Sequence, residues 1–372
     1  MTYVPDTEIG ITQVYDYSGD LNPRTTVLFP WTDTPVKLAN PATLPAGLGR
    51  GVRWSPNNEF LAVSHSVSPF VTIYQRSGLS FTKLANPGTL PAGIGRGVGW
   101  SMSSEFLVVA HTTTPFITIY QRVGVTFTKL GNPVTLPTGV GRAADFSACG
   151  EFLAIGHEVS PFITIYQRSG TTFTKLANPV TLPASTSIDI RWSPNIEFLA
   201  VAVAVSPFII IYQRSGTVFT KLADPVSLPL SLASSVAWSP NGEFLAIATQ
   251  LSPFIIIYRR SGTTFTKLAD PANLPAGEAT DTEWSPNGEF LAVTHNISPF
   301  ITIYQRSGII FTKLANPAGL PADFANNESW SSNGEFLVVT NDSTPFITIY
   351  HTDKTLPVNG VARTGKVIRE GD

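Results

Sequence analysis

The amino-acid sequence predicts an all-β protein: a seven-bladed β-propeller with four antiparallel strands in each blade. Two observations carry the prediction, a strict internal repeat and four short apolar segments within every copy. Successive copies begin 46 residues apart, without insertion or deletion. The first residues of the copies are Trp54, Trp100, Phe146, Trp192, Trp238, Trp284 and Trp330.

The segments of one copy alternate with turn residues. GVRW leads into the turn SPNN, EFLAVSH forms a second strand, and PFVTIYQR a third that ends at Ser77 and Gly78. SFTKLANP is the fourth, and TLPAGIGRG connects to the next copy. Apolar residues occupy both the odd and the even positions of the strands, as in FLAV at 60–63. This pattern predicts strands that are buried on both faces.

The count of strands predicts how the ring closes. The first three strands occur seven times, but the FTKL strand follows only six of them. An isolated match, PVKLANP at 35–41, stands before the first copy. We therefore expect the last blade to take its outer strand from the N-terminal side, in a 1+3 closure that leaves no open sheet edge. The predicted organisation is an N-terminal arm at 1–34, the propeller at 35–352 and a C-terminal tail at 353–372.

The pattern WSPNGEFLAV…PFITIY resembles the WD40-like propeller repeat over residues 36–352. No Gly-His pair opens the repeat and no Trp-Asp pair ends it; IYQR stands where a WD40 repeat would end, so the hydrogen-bonded tetrad of that family is not expected. Near-identical repeats of this kind are similar to those in structural proteins of tailed bacteriophages and some bacteria. The resemblance implies a structural component of a virion that binds other proteins of a larger assembly.

The composition limits the classes of partner that the sequence favours. Charged residues make up 13% of the chain and the net charge is −2, which favours neither nucleic acid nor an anionic membrane as a partner. No apolar run reaches the roughly 18 residues of a membrane span. The segment MTYVPDTEIG lacks the basic and apolar regions of a signal peptide, so a location in the virion, or otherwise in the cytoplasm, is expected.

Some charged residues recur in nearly every copy and have a sufficient structural explanation. A Glu opens each second strand and an Arg ends each third strand except the last, where Thr352 stands. Antiparallel pairing predicts that they form cross-strand ion pairs, as for Glu59 and Arg76. A Lys recurs on each outer strand, such as Lys37 and Lys83, where it would discourage edge-to-edge pairing.

Variation is concentrated in the residues before each Trp and at the end of each second strand. In an up-and-down blade both places lie at the same end, so we expect one variable face around the mouth of the central channel. Its predicted basic side carries Arg50, Arg53, Arg96, Arg142, His65, His111 and His157; its predicted acidic side carries Asp281, Glu283, Asp323 and Glu328. Such a potential would orient a partner. The alternative is sequence drift from an ancestral GRGV.

Residues outside the repeat are candidates for docking to neighbours. The N-terminal arm combines aromatic with acidic residues, and the alternating C-terminal tail could add a strand to a neighbouring sheet. The predicted docking residues are Tyr3, Tyr15, Tyr17, Trp31, Arg363, Lys366 and Arg369. Alternatively, both segments pack against their own ring.

No catalytic, metal or cofactor site is expected. The histidines at 65, 111 and 157 lie on different blades, so satisfied strand-end histidines are favoured over a metal site. Asp281 and Glu283 are interpreted as pointing to opposite faces of their strand and therefore not converging on a substrate. The protein is thus predicted to be non-enzymatic. The alternative function is a carbohydrate-binding propeller with repeated pockets between blades that recognises host-surface glycans.

Overall fold

The computed structural model describes residues 35–352, which form seven four-stranded antiparallel sheets arranged as the blades of a propeller. No helix occurs in this range, and accordingly none of its segments is a helix that could cross a membrane. The predicted seven-bladed fold with four antiparallel strands per blade is confirmed. The N-terminal arm and the C-terminal tail, with all seven predicted docking residues, lie outside the described residues.

The strands fall into four classes, from the channel outwards. The first strands are β2 (Gly49–Trp54), β6 (Gly95–Trp100), β10 (Gly141–Phe146), β14 (Ser187–Trp192), β18 (Ala233–Trp238), β22 (Ala279–Trp284) and β26 (Ala325–Trp330). The second strands are β3 (Phe60–His65), β7 (Phe106–His111), β11 (Phe152–His157), β15 (Phe198–Val203), β19 (Phe244–Thr249), β23 (Phe290–His295) and β27 (Phe336–Asn341). The third strands are β4 (Val71–Ser77), β8 (Ile117–Val123), β12 (Ile163–Ser169), β16 (Ile209–Ser215), β20 (Ile255–Ser261), β24 (Ile301–Ser307) and β28 (Ile347–His351). The outer strands are β5 (Ser80–Lys83), β9 (Thr126–Lys129), β13 (Thr172–Lys175), β17 (Val218–Lys221), β21 (Thr264–Lys267), β25 (Ile310–Lys313) and β1 (Val36–Lys37).

The register of each blade places the two variable segments side by side. Gly49 pairs with His65, so the start of the first strand lies beside the end of the second strand. A register shift between Gly49 and Gly51 bends the start of β2, and first strands of the other blades carry the same kind of shift. Bulges of this kind increase local twist and re-aim side chains. The variable segments therefore share one face of the disc, as the strand order predicts.

The N-terminal strand closes the ring as predicted. The last sheet has the order β1-β28-β27-β26, and Val36 pairs with His351. Leu38 N donates to Ile349 O at 2.8 Å, the same bond that Leu84 N makes to Ile73 O within the first blade. The closing strand has two residues, whereas the other outer strands have four.

The main core lies between blades rather than within them. All six residues of every second strand are buried, which explains their apolar character on both parities. Phe60 of the first blade packs against Trp100 and Phe127 of the second, with ring centroids 6.3 Å and 5.9 Å away. Trp54 meets Phe336 of the last blade at 5.4 Å, so the same contact also joins the two ends of the array. Full burial of each such side chain contributes roughly 1.5–3 kcal/mol.

The prediction of ion pairs within each blade was wrong. Arg122 Nε donates to the carbonyl of Ser104 at 2.7 Å, and its guanidinium covers the ring of Phe60 in the preceding blade. The Glu105 carboxylate accepts from Gln121 instead, at 2.8 Å. The repeated arginine thus ties a turn to its strand and packs one blade on the next. Among the described residues, a pair of the predicted Glu–Arg type joins Arg76 to Glu335, which belong to neighbouring blades, at 3.9 Å.

Candidate functional site at the channel mouth

The first strands surround the central channel, and their second residues form a ring at its mouth. The members of this mouth ring are Arg50, Arg96, Arg142, Ile188, Ser234, Thr280 and Asn326. All seven line a cavity of about 200 Å³. Their identities break the sevenfold repeat, because three adjacent blades supply arginine and the other four supply uncharged side chains.

The three arginines of the mouth ring form a basic arc on blades one to three, and each is half-buried. Arg142 Nε lies 2.7 Å from a carboxylate oxygen of Glu158. Arg96 makes no ion pair with any carboxylate in residues 35–352, and its buried Nε has no hydrogen-bond partner there. Burial and the positive charges of Arg142 and Arg50 lower the pKa of Arg96, with Glu158 acting in the opposite sense. The arc is therefore an electropositive surface with unsatisfied donors.

Small residues beside the basic arc let neighbouring first strands pack closely. Gly51, Gly97 and Ala143 follow the three arginines along their strands and line the same cavity. A Cβ added at Gly51 would meet the carbonyl oxygen of Arg96 at 2.6 Å, and one at Gly97 would meet that of Arg142 at 2.7 Å. Glycine at these two positions thus allows the first strands of blades one to three to approach closely.

Below the mouth, carboxylates link three of the blades to the blade that follows. Asp145 accepts from Trp192 N at 2.8 Å, and Glu283 accepts from Trp330 N at 3.1 Å. Asp189 accepts from Val236 N at 3.2 Å in the same way. The inner edge of a first strand has no strand beside it, so these carboxylates satisfy backbone N–H groups that would otherwise be unpaired.

Arg53 lies among these carboxylates in the channel. Its guanidinium is 3.0 Å from Glu283 and donates to the carbonyl of Glu328 at 3.0 Å. Burial disfavours the charged guanidinium, but the carboxylates of Glu283 and Asp281 outweigh that effect and raise the pKa of Arg53. Arg191 pairs with Asp189 at 3.0 Å. Acidic groups outnumber these two cations, so the channel holds more carboxyl groups than it can neutralise by ion pairing.

The carboxyl groups in the channel have raised pKa values. Burial raises the pKa of Asp145 and of Glu283 to about 7, against the favourable effect of Arg53. Burial also raises the pKa of Asp189 and Asp281, which repel one another. Asp145 and Glu283 therefore exchange protons near neutral pH rather than near pH 4.

The interpretation that Asp281 and Glu283 point to opposite faces was wrong. Residues two apart on a strand share a face. Both carboxyl groups are buried in the channel, where Asp281 raises the pKa of Glu283. Their contacts are nevertheless structural: Asp281 accepts from Ser235, Asn327 and Glu328 N, and Glu283 accepts from Trp330 N.

Glu328 lies in a different environment from the other acids. It occupies the register position that holds Val52, Val98 and Ile190 in other blades, and it is fully buried. Thr294 Oγ1 donates to one of its oxygens at 2.5 Å, while the other oxygen has no partner among the described residues. Burial and the charge of Asp281 raise its pKa well above the usual range. The prediction that Glu328 lies on an exposed acidic face was wrong.

The predicted interaction face is only partly exposed. His65, His111 and His157 have no exposed surface, so their assignment to that face was wrong. Nε2 of each lies 3.0 Å from a threonine hydroxyl on the next strand. The buried Nδ1 of each has no partner among the described residues, so these histidines are only partly satisfied. Arg53, Asp281 and Glu283 were also misassigned as surface residues, because they are paired inside the channel.

The remaining predicted residues do lie at the rim. Arg50, Arg96 and Arg142 are brought together, whereas Asp323 stands apart in the connector before β26 and accepts from Ser343 Oγ at 2.7 Å. Sequence reasoning missed the uncharged members of the mouth ring and the structural role of Asp145 and Asp189. Aligning the seven copies residue by residue would have shown the mouth ring as the second position of the first strands, with Asp189 at the third position and Asp145 at the fifth.

Within residues 35–352, no group of three or more His, Cys, Asp or Glu side chains is arranged to hold a metal ion.

Comparisons with known proteins show a similarity in fold and do not identify a function. No protein-family model matches the sequence, and no curated protein matches it. A hydrazine synthase chain from Kuenenia stuttgartiensis is similar in structure, with a TM-score of 0.65 over 84% of this chain and 97% of that chain, at 12% sequence identity. It is one of 1621 solved chains with a significant match, so the likeness shows a widely used fold and not an activity.

Proposed function

We propose that this β-propeller is a non-enzymatic interaction module and a structural component of a tailed-phage virion. The observation that carries the interaction role is the break in the sevenfold repeat at the mouth ring. A rigid frame repeats almost unchanged, while Arg50, Arg96 and Arg142 are gathered on one side of one face. Variable residues on a rigid scaffold are typical of binding surfaces.

Two further points support the proposal. The channel carboxyl groups that could serve as acid or base instead accept backbone N–H groups of the next blade, which favours a structural role for them. The near-identical repeats resemble those of tailed-phage structural proteins, which favours the virion. We propose that the basic arc meets an acidic surface on a neighbouring protein and that the two tails provide further contacts.

Co-sedimentation with particles from the native source tests this proposal. Reversing the charge of all three residues, Arg50→Glu, Arg96→Glu and Arg142→Glu, should abolish the association. A control with Lys129→Glu, Lys175→Glu and Lys313→Glu makes the same change in charge on the outer strands and should retain it. Absence of the wild-type protein from purified particles would refute the virion role, and unchanged association of the arginine variant would refute the binding face.

A glycan-binding measurement on the same variants separates the proposed function from glycan recognition. A carbohydrate-binding propeller should bind glycans at several equivalent sites and need neither the tails nor the basic arc. Saturable glycan binding with a stoichiometry well above one, unaffected by the three arginine substitutions, would replace the proposed function.

A further inference from the structure

We infer that the channel mouth is a binding site for one small multivalent oxyanion, either a phosphate or a di- or tricarboxylate. The site is formed by the basic arc and the cavity that the arc lines. This inference does not require a protein partner, and it could hold even if the protein were not part of a virion.

The basic arc has the charge and the donors that such a ligand needs. Three guanidinium groups from adjacent blades line one cavity, and Glu158, paired with Arg142, is the carboxylate within 4 Å of them in residues 35–352. Arg96, in the middle of the arc, has no carboxylate partner and a buried Nε without an acceptor in that range. A guanidinium binds a phosphate or carboxylate through two parallel hydrogen bonds, so an anion seated between the arginines would satisfy these donors.

The cavity that the arc lines has a size that suits a small ligand. The cavity of about 200 Å³ is below the roughly 300–1,000 Å³ typical of drug-sized ligands. The small residues Gly51, Gly97 and Ala143 line the cavity together with the three arginines, and Ser234 on the fifth blade adds a hydroxyl. The break in symmetry also limits the number of sites, because a ring of seven identical residues would offer seven equivalent sites and this ring offers one arc.

The carboxyl groups on the cavity floor do not cancel the arc. Asp189 pairs with Arg191 at 3.0 Å and lies 3.0 Å from Ser235 Oγ, whose single hydroxyl proton it shares with Asp281. Asp281 accepts from Ser235, Asn327 and the backbone N–H of Glu328. Asp189 lies on blade four, next to the blade of Arg142, and Asp281 lies on blade six, but neither forms an ion pair with the three arginines. The charges that act most on Arg96 are Arg142, Glu158 and Arg50, so two of these three are positive.

Isothermal titration of the full-length protein with inorganic phosphate and with citrate tests the site at pH 7 and low ionic strength. The main variant is Arg96→Ser, which introduces the residue type that the fifth blade carries in the mouth ring and should therefore fold. The control is Arg259→Gln, which removes an exposed arginine elsewhere and restores the glutamine found at this position in other copies.

We expect one site per chain, with an affinity that falls at least tenfold in Arg96→Ser and is unchanged in Arg259→Gln. Tighter binding of phosphate than citrate would identify a phosphate site, and the reverse order a carboxylate site. Two results would overturn the inference. One is equal binding by wild type and Arg96→Ser. The other is a response to phosphate and citrate no greater than the response to chloride at matched ionic strength, because that would reflect general screening.

Discussion

At the scale of single residues, the acidic side chains of the channel stabilise contacts between blades and do not form an exposed recognition surface. Each of Asp145, Asp189 and Glu283 accepts a backbone N–H from the blade that follows it. Arg53 supplies positive charge among them and contacts both the sixth and the seventh blade. Charged residues that look like a recognition motif in the sequence are therefore part of the contact between blades. Among the predicted face residues within 35–352, the arginines of the mouth ring and Asp323 remain as candidates for recognition.

Arg53→Met should destabilise the ring because it leaves buried carboxyl groups without their cation. Removing one partner of a buried ion pair costs about 3–5 kcal/mol, and the cost should increase with pH as the neighbouring carboxyl groups lose their protons. Urea denaturation at pH 6 and pH 8 measures both effects. Arg50→Ser, a change at the mouth without a described ion pair, is the control and should alter the free energy of unfolding by less than about 0.5 kcal/mol. Equal stability of the Arg53→Met variant and wild type would contradict this assignment.

The wild-type protein should become less stable as the pH rises from about 7 to about 8.5. The pKa values of Asp145 and Glu283 are about 7 in the folded state, whereas in the unfolded chain they are near 4. The folded state therefore binds more protons over this range, and the stability that those protons contribute is lost as they dissociate. We expect a loss of roughly 1 kcal/mol in the free energy of unfolding, measured by urea denaturation.

The variant with Asp145→Asn and Glu283→Gln should lose the part of that pH dependence that these two groups contribute, while it keeps acceptors for the two backbone N–H groups. The contribution of Asp189, whose pKa burial raises to about 8, should remain. Glu289→Gln, at an exposed turn, is the matched control and should retain the wild-type slope. The buried histidines act at lower pH: burial lowers the pKa of His65, His111, His157 and His295 to about 4, so their effect falls below pH 6.5. A flat wild-type profile between pH 7 and pH 8.5 would contradict the assignment.

At the scale of elements, the closing strand is the one outer strand that departs from the repeat. Lys37 donates to the carbonyl of Leu320, whereas Lys83 donates to Asn86 next to its own strand. The stem of Lys37 lies against Gly319, where a Cβ would come within 2.9 Å of it. The corresponding residues of other copies are threonine, serine or asparagine, so glycine is found where the closing strand needs the space.

Gly319→Thr should therefore weaken the closure. The added side chain would displace Lys37, and overpacking of this kind costs about 1–3 kcal/mol. Asn273→Thr, the same product residue at the same position of the preceding copy, is exposed and should cost less than about 0.5 kcal/mol. Thermal denaturation of both variants provides the comparison. A loss of stability that is equal in the two would show that the closing strand does not depend on Gly319.

The strands could be predicted from the sequence, but several contacts of their side chains could not. Apolar runs such as FLAV at 60–63 and turn residues such as Gly78 act locally, so the four strands of a blade and their order follow from the pattern. The partners of Arg122 and Glu105 depend on the geometry of a turn and on the neighbouring blade, neither of which is visible in one copy. The burial of Glu328 was also missed, although other copies carry Val52, Val98 and Ile190 at the same position of the first strand.

At the scale of the whole molecule, ring closure is what creates the candidate site. The mouth ring is complete only when the seventh blade, with Asn326, meets the first blade, with Arg50 and Gly51. Val52 N donates to Asn327 Oδ1 at 2.9 Å across this junction, and Trp54 packs on Phe336. An open array would expose the inner faces of two blades and would separate the members of the mouth ring. Stability of the frame and integrity of the mouth therefore depend on the same short strand.

Two truncations, studied by size-exclusion chromatography and thermal denaturation, test this closure most directly. Deletion of residues 1–41 removes β1 and Leu38, whereas deletion of residues 1–34 keeps them. If β1 closes the ring, the longer deletion yields an unfolded or oligomeric protein because β28 loses its partner, and the shorter deletion yields a folded monomer. A monomer lacking residues 1–41 with the melting temperature of the protein lacking residues 1–34 would contradict closure by the N-terminal strand.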